Sequence, residues 1–142
     1  MPRTLTAHAS ETIGAPSSEV WDALTNPAKI KQYFFGSDIV TDWREGSPII
    51  YRGEWQGKQF EDKGTVVKVE PERTLVCTHW SPMSGTPDTP ENYHQVTYAL
   101  RPEGNSTVVS ISQDNNADED EKQHSEQNWR TVLENMKQFL EK

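Results

Sequence analysis

The chain of 142 residues has the length of one ordinary domain, and a domain of this size buries roughly 70 % of the surface that its unfolded chain exposes. Its formal net charge of −8 excludes sequence-independent binding to nucleic acid and disfavours anionic membranes, because an acidic surface repels phosphate groups. Only 32 % of the residues are hydrophobic, so the five Trp, four Tyr and four Phe must supply much of the core.

The N-terminal quarter of the chain predicts one strand and two short helices. Apolar and polar residues alternate over Thr4–Ile13, a period of two that is typical of a strand with one buried face. A proline and two serines suited to a first helical turn precede the first helix, around Val20–Leu24. The second short helix is predicted over Ala28–Phe34, and a glycine two residues later stops it.

The middle of the chain alternates between runs of strand-like residues and turns rich in glycine and proline. Six strands are predicted there, over Asp38–Trp43, Ser47–Trp55, Gln59–Val69, Leu75–Trp80, His94–Leu100 and Thr107–Gln113. The connection Ser81–Asn92 holds three prolines and is predicted to be a loop. Loops of that length are usually functional or disordered.

The C-terminal segment predicts one helix of about 22 residues, which is roughly 33 Å long. Its apolar residues recur at steps of three and four and form one stripe, consisting of Trp129, Val132, Leu133, Met136, Phe139 and Leu140. The acidic run Asp118–Glu121 favours the positive end of the helix dipole. We predict an α+β fold over residues 1–142, in which a curved antiparallel sheet of six or seven strands surrounds this helix.

Four groups of residues resemble the START-like (polyketide cyclase and lipid-transfer) superfamily. The stretch Glu19–Pro27 resembles its V-W-x-A-L-T-x-P segment, and in particular the branch of activator of heat-shock protein 90 ATPase-like proteins. The agreement covers nearly the whole chain and continues through Trp43–Ser47, Gly64–Leu75, Asn128, Trp129, Leu133 and Lys137–Glu141. The resemblance implies a helix-grip fold with a cavity between sheet and helix. Eukaryotic co-chaperones of this branch add an N-terminal domain, which we do not expect here because the first strand begins at about Thr4.

No catalytic residue, cofactor site or metal site is predicted. The chain lacks a Gly-x-Ser-x-Gly elbow, a phosphate loop and a dinucleotide fingerprint. Its histidines show neither the spacing nor the cysteine neighbours of a metal centre, and the acidic run Asp114–Glu121 lacks the spacing of a calcium loop. Cys77 lies in an apolar stretch and is predicted to be a buried, inert thiol. His79 and His94 flank the proline-rich loop and approach each other if their strands pair.

The aromatic residues give the most informative prediction. Trp43, Tyr51 and Trp55 share one parity across the first two central strands, while Trp129 and its stripe face the sheet from the helix. Two interpretations stay open: these side chains fill the core, or they line an apolar pocket with a few polar groups, as small-ligand sites usually do. The predicted pocket residues are Trp43, Tyr51, Trp55, His79, Val96, Tyr98, Trp129, Leu133 and Met136.

Three functions are compatible with these residues. The prediction is a non-enzymatic module that binds a small hydrophobic molecule, lipid-like or polycyclic aromatic, in a cavity on the order of 300 Å³. The resemblance implies an alternative, a stress-related co-chaperone-like module that contacts a chaperone. The third is a cyclase- or hydrolase-like enzyme with His79 as general base. No signal-peptide segment and no run of 18 apolar residues is present, so we expect a cytoplasmic monomer without membrane insertion.

Overall fold

The computed structural model describes residues 5–34, 36–55, 57–82 and 85–141. Its strands are β1 (Leu5–Ile13), β2 (Asp38–Val40), β3 (Pro48–Trp55), β4 (Lys58–Glu70), β5 (Thr74–His79), β6 (His94–Glu103) and β7 (Ser106–Asn116). Its helices are α1 (Ser17–Thr25), α2 (Pro27–Tyr33) and α3 (Glu119–Leu140), and a 3₁₀ turn covers Pro90–Asn92 in the proline-rich loop. Among the described residues no helix is long and apolar enough to cross a membrane.

All seven strands form one antiparallel sheet in the order β1-β7-β6-β5-β4-β3-β2. The long helix α3 has 22 residues, and the side chain of Asp118 accepts a hydrogen bond from the Glu121 N–H at its start. This confirms the predicted α+β helix-grip fold. The predicted stripe faces the sheet: Trp129, Val132, Leu133 and Met136 are buried.

Strand β4 bends where it passes β5. The register shifts between Val66 and Lys68, a bulge of the kind that increases local twist. Close by, the backbone of Gly64 approaches the Thr78 carbonyl so closely that a Cβ atom at residue 64 would lie 1.7 Å from that oxygen. Only glycine permits this approach, which brings the end of β5 close to β4.

Helix α3 also covers the outer edge of β1. The Gly14 N–H donates to Glu141 Oε2 at 2.7 Å, and Lys137 Nζ donates to the Thr12 carbonyl at 3.0 Å. The Thr12 carbonyl belongs to this edge strand and the Gly14 N–H directly follows it, so both groups would otherwise be open to pairing with another chain. We call Glu141 and Lys137, which lie 2.6 Å apart, the edge clamp.

Three predicted strand ends were wrong by three residues. β6 continues to Glu103 instead of ending at Leu100, because Pro102 and Glu103 still pair with β7. The predicted strand Asp38–Trp43 ends at Val40, because Asp42 Oδ1 accepts the Arg44 N–H and turns the chain, leaving Trp43 in a loop at φ 60°. At the other end, β7 continues to Asn116 instead of ending at Gln113. Asn116 is fully buried, and its Nδ2 donates to the carbonyls of Leu5 and Gln113.

Candidate ligand-binding site

A small cavity lies between the two short helices and the inner face of the sheet. Its walls are formed by Leu24, Ile30, Tyr33, Phe34, Ile39, Trp43, Ile49, Tyr51, Leu75, Cys77 and Tyr98. Its volume is about 30 Å³, far below the roughly 300 Å³ at which pockets for small ligands begin. The cavity is therefore closed to a ligand in this conformation, although its lining is almost entirely apolar and aromatic.

The short helices α1 and α2 form the outer wall of this cavity. Leu24 comes from α1, whereas Ile30 and Tyr33 lie one turn apart on α2 and point the same way. The Tyr33 hydroxyl donates to the Ala23 carbonyl at 2.8 Å and so ties one helix to the other. Burial raises the pKa of Tyr33, which keeps that hydroxyl protonated and able to donate.

A row of aromatic rings connects this wall to α3 and the sheet. Phe34 meets Trp129 edge to face at 5.6 Å between ring centroids, and Tyr98 meets the same indole edge to face at 5.8 Å. The Trp129 Nε1–H donates to Gln113 Oε1 at 2.9 Å. Each such ring pair contributes about 0.5–1.5 kcal/mol beyond its buried area, so the row fixes one end of the cavity.

The polar atoms of the side chains that line the cavity belong to three tyrosines, one cysteine and the indole of Trp43. Burial raises the pKa of both Tyr51 and Tyr98 well above the ordinary value, so both hydroxyls stay neutral donors. The Tyr51 hydroxyl donates to the Thr78 carbonyl at 3.4 Å, which is a long hydrogen bond. Burial raises the pKa of Cys77 to about 12, and the thiol is buried as predicted.

A carboxylate–imidazole pair lies at the end of the cavity next to Tyr51. Tyr51 and Asp62 are direct partners across β3 and β4, and His79 Nε2 lies 2.9 Å from Asp62 Oδ2. The Tyr51 and His79 rings meet edge to face at 5.0 Å. A carboxylate that orients an imidazole is able to support hydrogen bonding to a ligand or proton transfer. We call these three residues the rim triad.

The two histidines beside the proline-rich loop are neighbours, as predicted. His79 and His94 are directly opposite each other across β5 and β6. They have different partners, however, because His94 Nδ1 donates to the Asp114 carbonyl at 2.8 Å while its Nε2 lies 3.5 Å from Glu121 Oε1. His94 therefore joins β6 to β7 and the start of α3, whereas His79 belongs to the rim triad.

The predicted pocket residues divide into three groups. Trp43, Tyr51 and Tyr98 line the cavity, and His79 and Trp129 touch the rings of Tyr51 and Tyr98. Val96, Leu133 and Met136 are buried in the core outside the cavity lining. The side chain of Trp55 lies outside the described residues. The prediction that Trp43 lies on a strand was wrong, because Trp43 reaches the cavity from a loop.

Sequence reasoning missed both the outer wall and Asp62. The helical spacing of Ile30, Tyr33 and Phe34 marks an apolar face that needs a partner, and this signal was sufficient to place α2 against the cavity. Asp62 is four residues from the buried Val66 on the same strand, so both side chains point to the inner face of the sheet. A carboxylate at such an inward position was the signal that could have identified Asp62. No group of three His, Cys, Asp or Glu side chains able to hold a metal occurs within the described ranges.

A second, larger depression crosses β1, β7 and β6 and has a volume of about 490 Å³. Its lining consists of His8, Ala9, Ser10, Thr97, Ala99, Ser110, Ile111, Ser112 and Arg130. Most of these are small or hydroxyl-bearing side chains, and no Phe, Tyr or Trp is among them. Because small-ligand sites are usually enclosed and largely apolar, the smaller aromatic cavity is the better candidate despite its volume.

Comparison with known proteins identifies relatives of this fold. Residues 14–141 match the family model described as Activator of Hsp90 ATPase homolog 1-like protein. The solution structure of ChR145 from Cytophaga hutchinsonii is 48% identical, with a TM-score of 0.85, over 99% of this chain and 97% of that one. No curated protein matched the chain in the sequence search.

Two further structures share the fold at lower identity. CalU16 from Micromonospora echinospora is 23% identical with a TM-score of 0.76, over 99% of this chain and 80% of its own. The Aha1 dimer from Colwellia psychrerythraea is 22% identical with a TM-score of 0.75, over 96% of each chain. At these identities the likeness is one of fold.

Proposed function

The chain belongs to the family of Activator of Hsp90 ATPase homolog 1-like proteins and has a helix-grip fold, and we propose that it is a small-molecule binding module. Its ligand is a small, flat, apolar molecule held between the short helices and the sheet. One observation carries this proposal: a cavity lined by aliphatic and aromatic side chains, whose few polar groups are tyrosine hydroxyls, one thiol and one indole N–H. Aromatic walls suit a planar ligand, since rings pack edge to face or offset against one another.

Binding requires the cavity to enlarge from its present 30 Å³. The β2 side of the cavity is the part suited to move, because β2 has three residues and pairs only with β3 at the edge of the sheet. The Trp43 loop that follows is tied to β4 at its far end, where the Gly46 N–H donates to the Val66 carbonyl and the Val66 N–H donates to the Ser47 carbonyl. Segments with few backbone hydrogen bonds open at low free energy, whereas the opposite wall belongs to the central strands β5 and β6.

A titration of the ¹⁵N-labelled chain tests the proposal directly. The compounds are fatty acids and polycyclic aromatic molecules, added one at a time while amide chemical shifts are recorded. We expect a binder to shift the amides of Ile30, Tyr51, Cys77 and Tyr98. If no compound shifts residues on the inner strand faces or α2, the proposal is wrong.

A cavity-filling substitution gives a second test with a matched control. Cys77→Leu places additional carbon atoms in the cavity and should weaken ligand binding about tenfold or more. Val76 is its sequence neighbour, is buried at 7% exposure and faces the other side of the sheet. Val76→Leu should therefore leave the affinity unchanged. Equal losses of affinity in both variants would show that the effect comes from strain in β5.

A second candidate function is contact with a chaperone, as in a stress-related co-chaperone. The family description and the shared fold with Aha1 from Colwellia psychrerythraea favour it. The measurement is the ATPase rate of a bacterial Hsp90 homologue with increasing amounts of this chain. A rate that saturates with added chain would support this function, and an unchanged rate together with no co-elution would exclude it.

A further inference from the structure

One carboxylate oxygen at the end of the cavity has no hydrogen-bond partner. Asp62 is 9% exposed, and its Oδ2 is held by His79 at 2.9 Å. Its Oδ1 is fully buried, and no donor among the described residues reaches it. A buried acceptor without a donor loses its hydration and gains no hydrogen bond in return, and the cost is greatest for a charged group, so such atoms are rare in folded proteins.

The unpartnered oxygen belongs to the layer of side chains next to the cavity lining. Tyr51 lines the cavity and is the direct cross-strand partner of Asp62. Cys77 also lines it and precedes His79 by two residues on the same face of β5. Ile39 of β2 pairs with Tyr51, so displacement of β2 on ligand entry opens the cavity beside the carboxylate.

The Asp62 carboxylate also has the opposite hydrogen-bonding character from the other polar groups there. The hydroxyls of Tyr33 and Tyr51 already donate to backbone carbonyls. Both oxygens of an ionised carboxylate accept hydrogen bonds and cannot donate them, and hydrogen bonds to a charged acceptor are about twice as strong as neutral ones. His79 fixes the carboxylate through Oδ2 and thereby leaves Oδ1 for a second donor.

We propose that Asp62 Oδ1 accepts a hydrogen bond from the bound ligand, which is therefore a planar aromatic molecule that carries a hydroxyl or amino group. The apolar part lies against the cavity aromatics, and the donor reaches the rim triad. His79 is a positioning residue for the carboxylate. This inference rests on the proposed function, because it specifies the ligand of the same cavity.

The test compares molecules that differ in the donor alone. 2-Naphthol and 2-methoxynaphthalene have the same ring system, but only the naphthol donates a hydrogen bond. We expect the wild-type chain to bind the naphthol at least about tenfold more tightly, equivalent to about 1.4 kcal/mol, by isothermal titration calorimetry. A third probe, 2-(aminomethyl)naphthalene, should also bind more tightly than the ether, and an affinity no higher than that of the ether would exclude the amino group as donor.

Two variants assign the preference to the carboxylate. Asp62→Ala should abolish the difference between naphthol and ether, while Asp62→Asn, which keeps an acceptor oxygen, should retain part of it. The matched control is Glu61→Ala: Glu61 is the adjacent residue on the opposite, exposed face of β4 and pairs with Arg52 at 2.8 Å. This control should keep the full preference. Circular dichroism shows whether each variant is folded. The ratio of naphthol to ether affinity in the wild-type chain tests the proposal even if a variant fails to fold.

Each outcome separates this inference from the proposed function. Equal affinities of the wild type for naphthol and ether would overturn the donor inference and leave the apolar site intact. A preference that survives in Asp62→Ala would also overturn it, because the acceptor would then lie elsewhere or be a water molecule. If neither probe binds and the hydrophobic library gives no binder, the proposed function itself fails.

Discussion

The two sides of the sheet's inner face are packed in different ways. Against β1 and β7, helix α3 forms a closed core in which Val109, Ile111, Leu133 and Met136 are almost completely buried. Against β3 and β5, the short helices α1 and α2 leave a cavity. The closed side has one continuous apolar stripe over 22 residues, whereas the cavity side is covered by helices of nine and seven residues.

This difference follows from how helices fill space. A long helix presents a row of side chains at regular three- and four-residue steps, and such rows interdigitate with a sheet along their whole length. The two short helices instead meet at Asn26 and Pro27, where the chain changes direction. We infer that α3 supplies most of the stability of the fold and that the short helices permit the packing defect a binding site requires.

Replacing one leucine by alanine on each side tests this difference in packing most directly and has the largest expected effect on stability. Leu133 lies on α3 in the closed core at 1% exposure, and Leu24 lies on α1 in the cavity wall at 4%. We expect Leu133→Ala to lower the free energy of unfolding by about 4 kcal/mol and Leu24→Ala by about 2 kcal/mol, because a residue beside a void loses fewer contacts. Urea denaturation at constant m-value measures both.

The same pair of variants should differ in ligand affinity. Leu24→Ala enlarges the cavity and should raise the affinity for a planar apolar ligand, whereas Leu133→Ala should leave it unchanged after correction for the unfolded fraction. Equal losses of stability in the two variants would contradict the distinction between a closed side and an open side.

Gly64→Ala tests how much the stability of the fold depends on the close approach of β4 and β5 beside the rim triad. A Cβ atom at this position meets the Thr78 carbonyl, which is backbone and cannot move aside, so we expect a loss of about 3 kcal/mol, at the upper end for overpacking. The matched change is Gly53→Ala, whose Cβ would meet the far end of the Phe60 ring. That side chain can rotate away, so the cost should be clearly smaller. Thermal unfolding of the two variants measures both losses of stability, and equal losses would contradict the prediction.

Most of the fold was predictable because its signals are local. Alternation at a period of two located the strands, and the stripe from Trp129 to Leu140 predicted a helix whose length of 22 residues is confirmed. Two of the three misplaced strand ends arose where a side chain overrides the pattern. Asp42 accepts a backbone N–H and ends β2 early, while the polar Asn116 is buried and extends β7.

The site was less predictable because it depends on non-local geometry. Strand parity placed Tyr51 and Tyr98 correctly on the inner face, but the pairing of Asp62 with His79 depends on the β4 bulge and on Gly64. Neither feature has a periodic signal. The size of the cavity depends on how α1 and α2 settle on the sheet, which no residue pattern within either helix determines.

Asn116 allows the closed side to be weakened at a polar position. Its Nδ2 donates to the carbonyls of Leu5 and Gln113, and its Oδ1 accepts from the Ser125 hydroxyl at 3.4 Å, so it joins β1, β7 and α3. Asn116→Ala leaves these buried groups unsatisfied and should cost about 2 kcal/mol. Affinity for a cavity ligand should not change. A variant that lost affinity without losing stability would mean that the two sides are coupled through α3.

The smallest expected effect concerns the edge clamp. The Lys137 ammonium and the Gly14 N–H hold the pKa of Glu141 below its ordinary value. A carboxylate with a lowered folded-state pKa stabilises the fold at pH values above its unfolded pKa, about 4.3, and this stabilisation is lost as the pH falls through the folded pKa. The closed side should therefore lose stability in acid, and Glu141→Gln should make that loss shallower.

The control for the clamp is Glu134→Gln, at an exposed position on the same helix. Thermal unfolding measured from pH 7 to pH 3 should show a flatter profile for Glu141→Gln than for wild type, while Glu134→Gln follows wild type. Because Glu141 binds the edge of β1 and does not touch the cavity lining, ligand affinity should have the same pH dependence in both variants. A change in the pH profile of binding, but not of stability, would place the clamp on the ligand-binding side of the molecule and contradict the comparison.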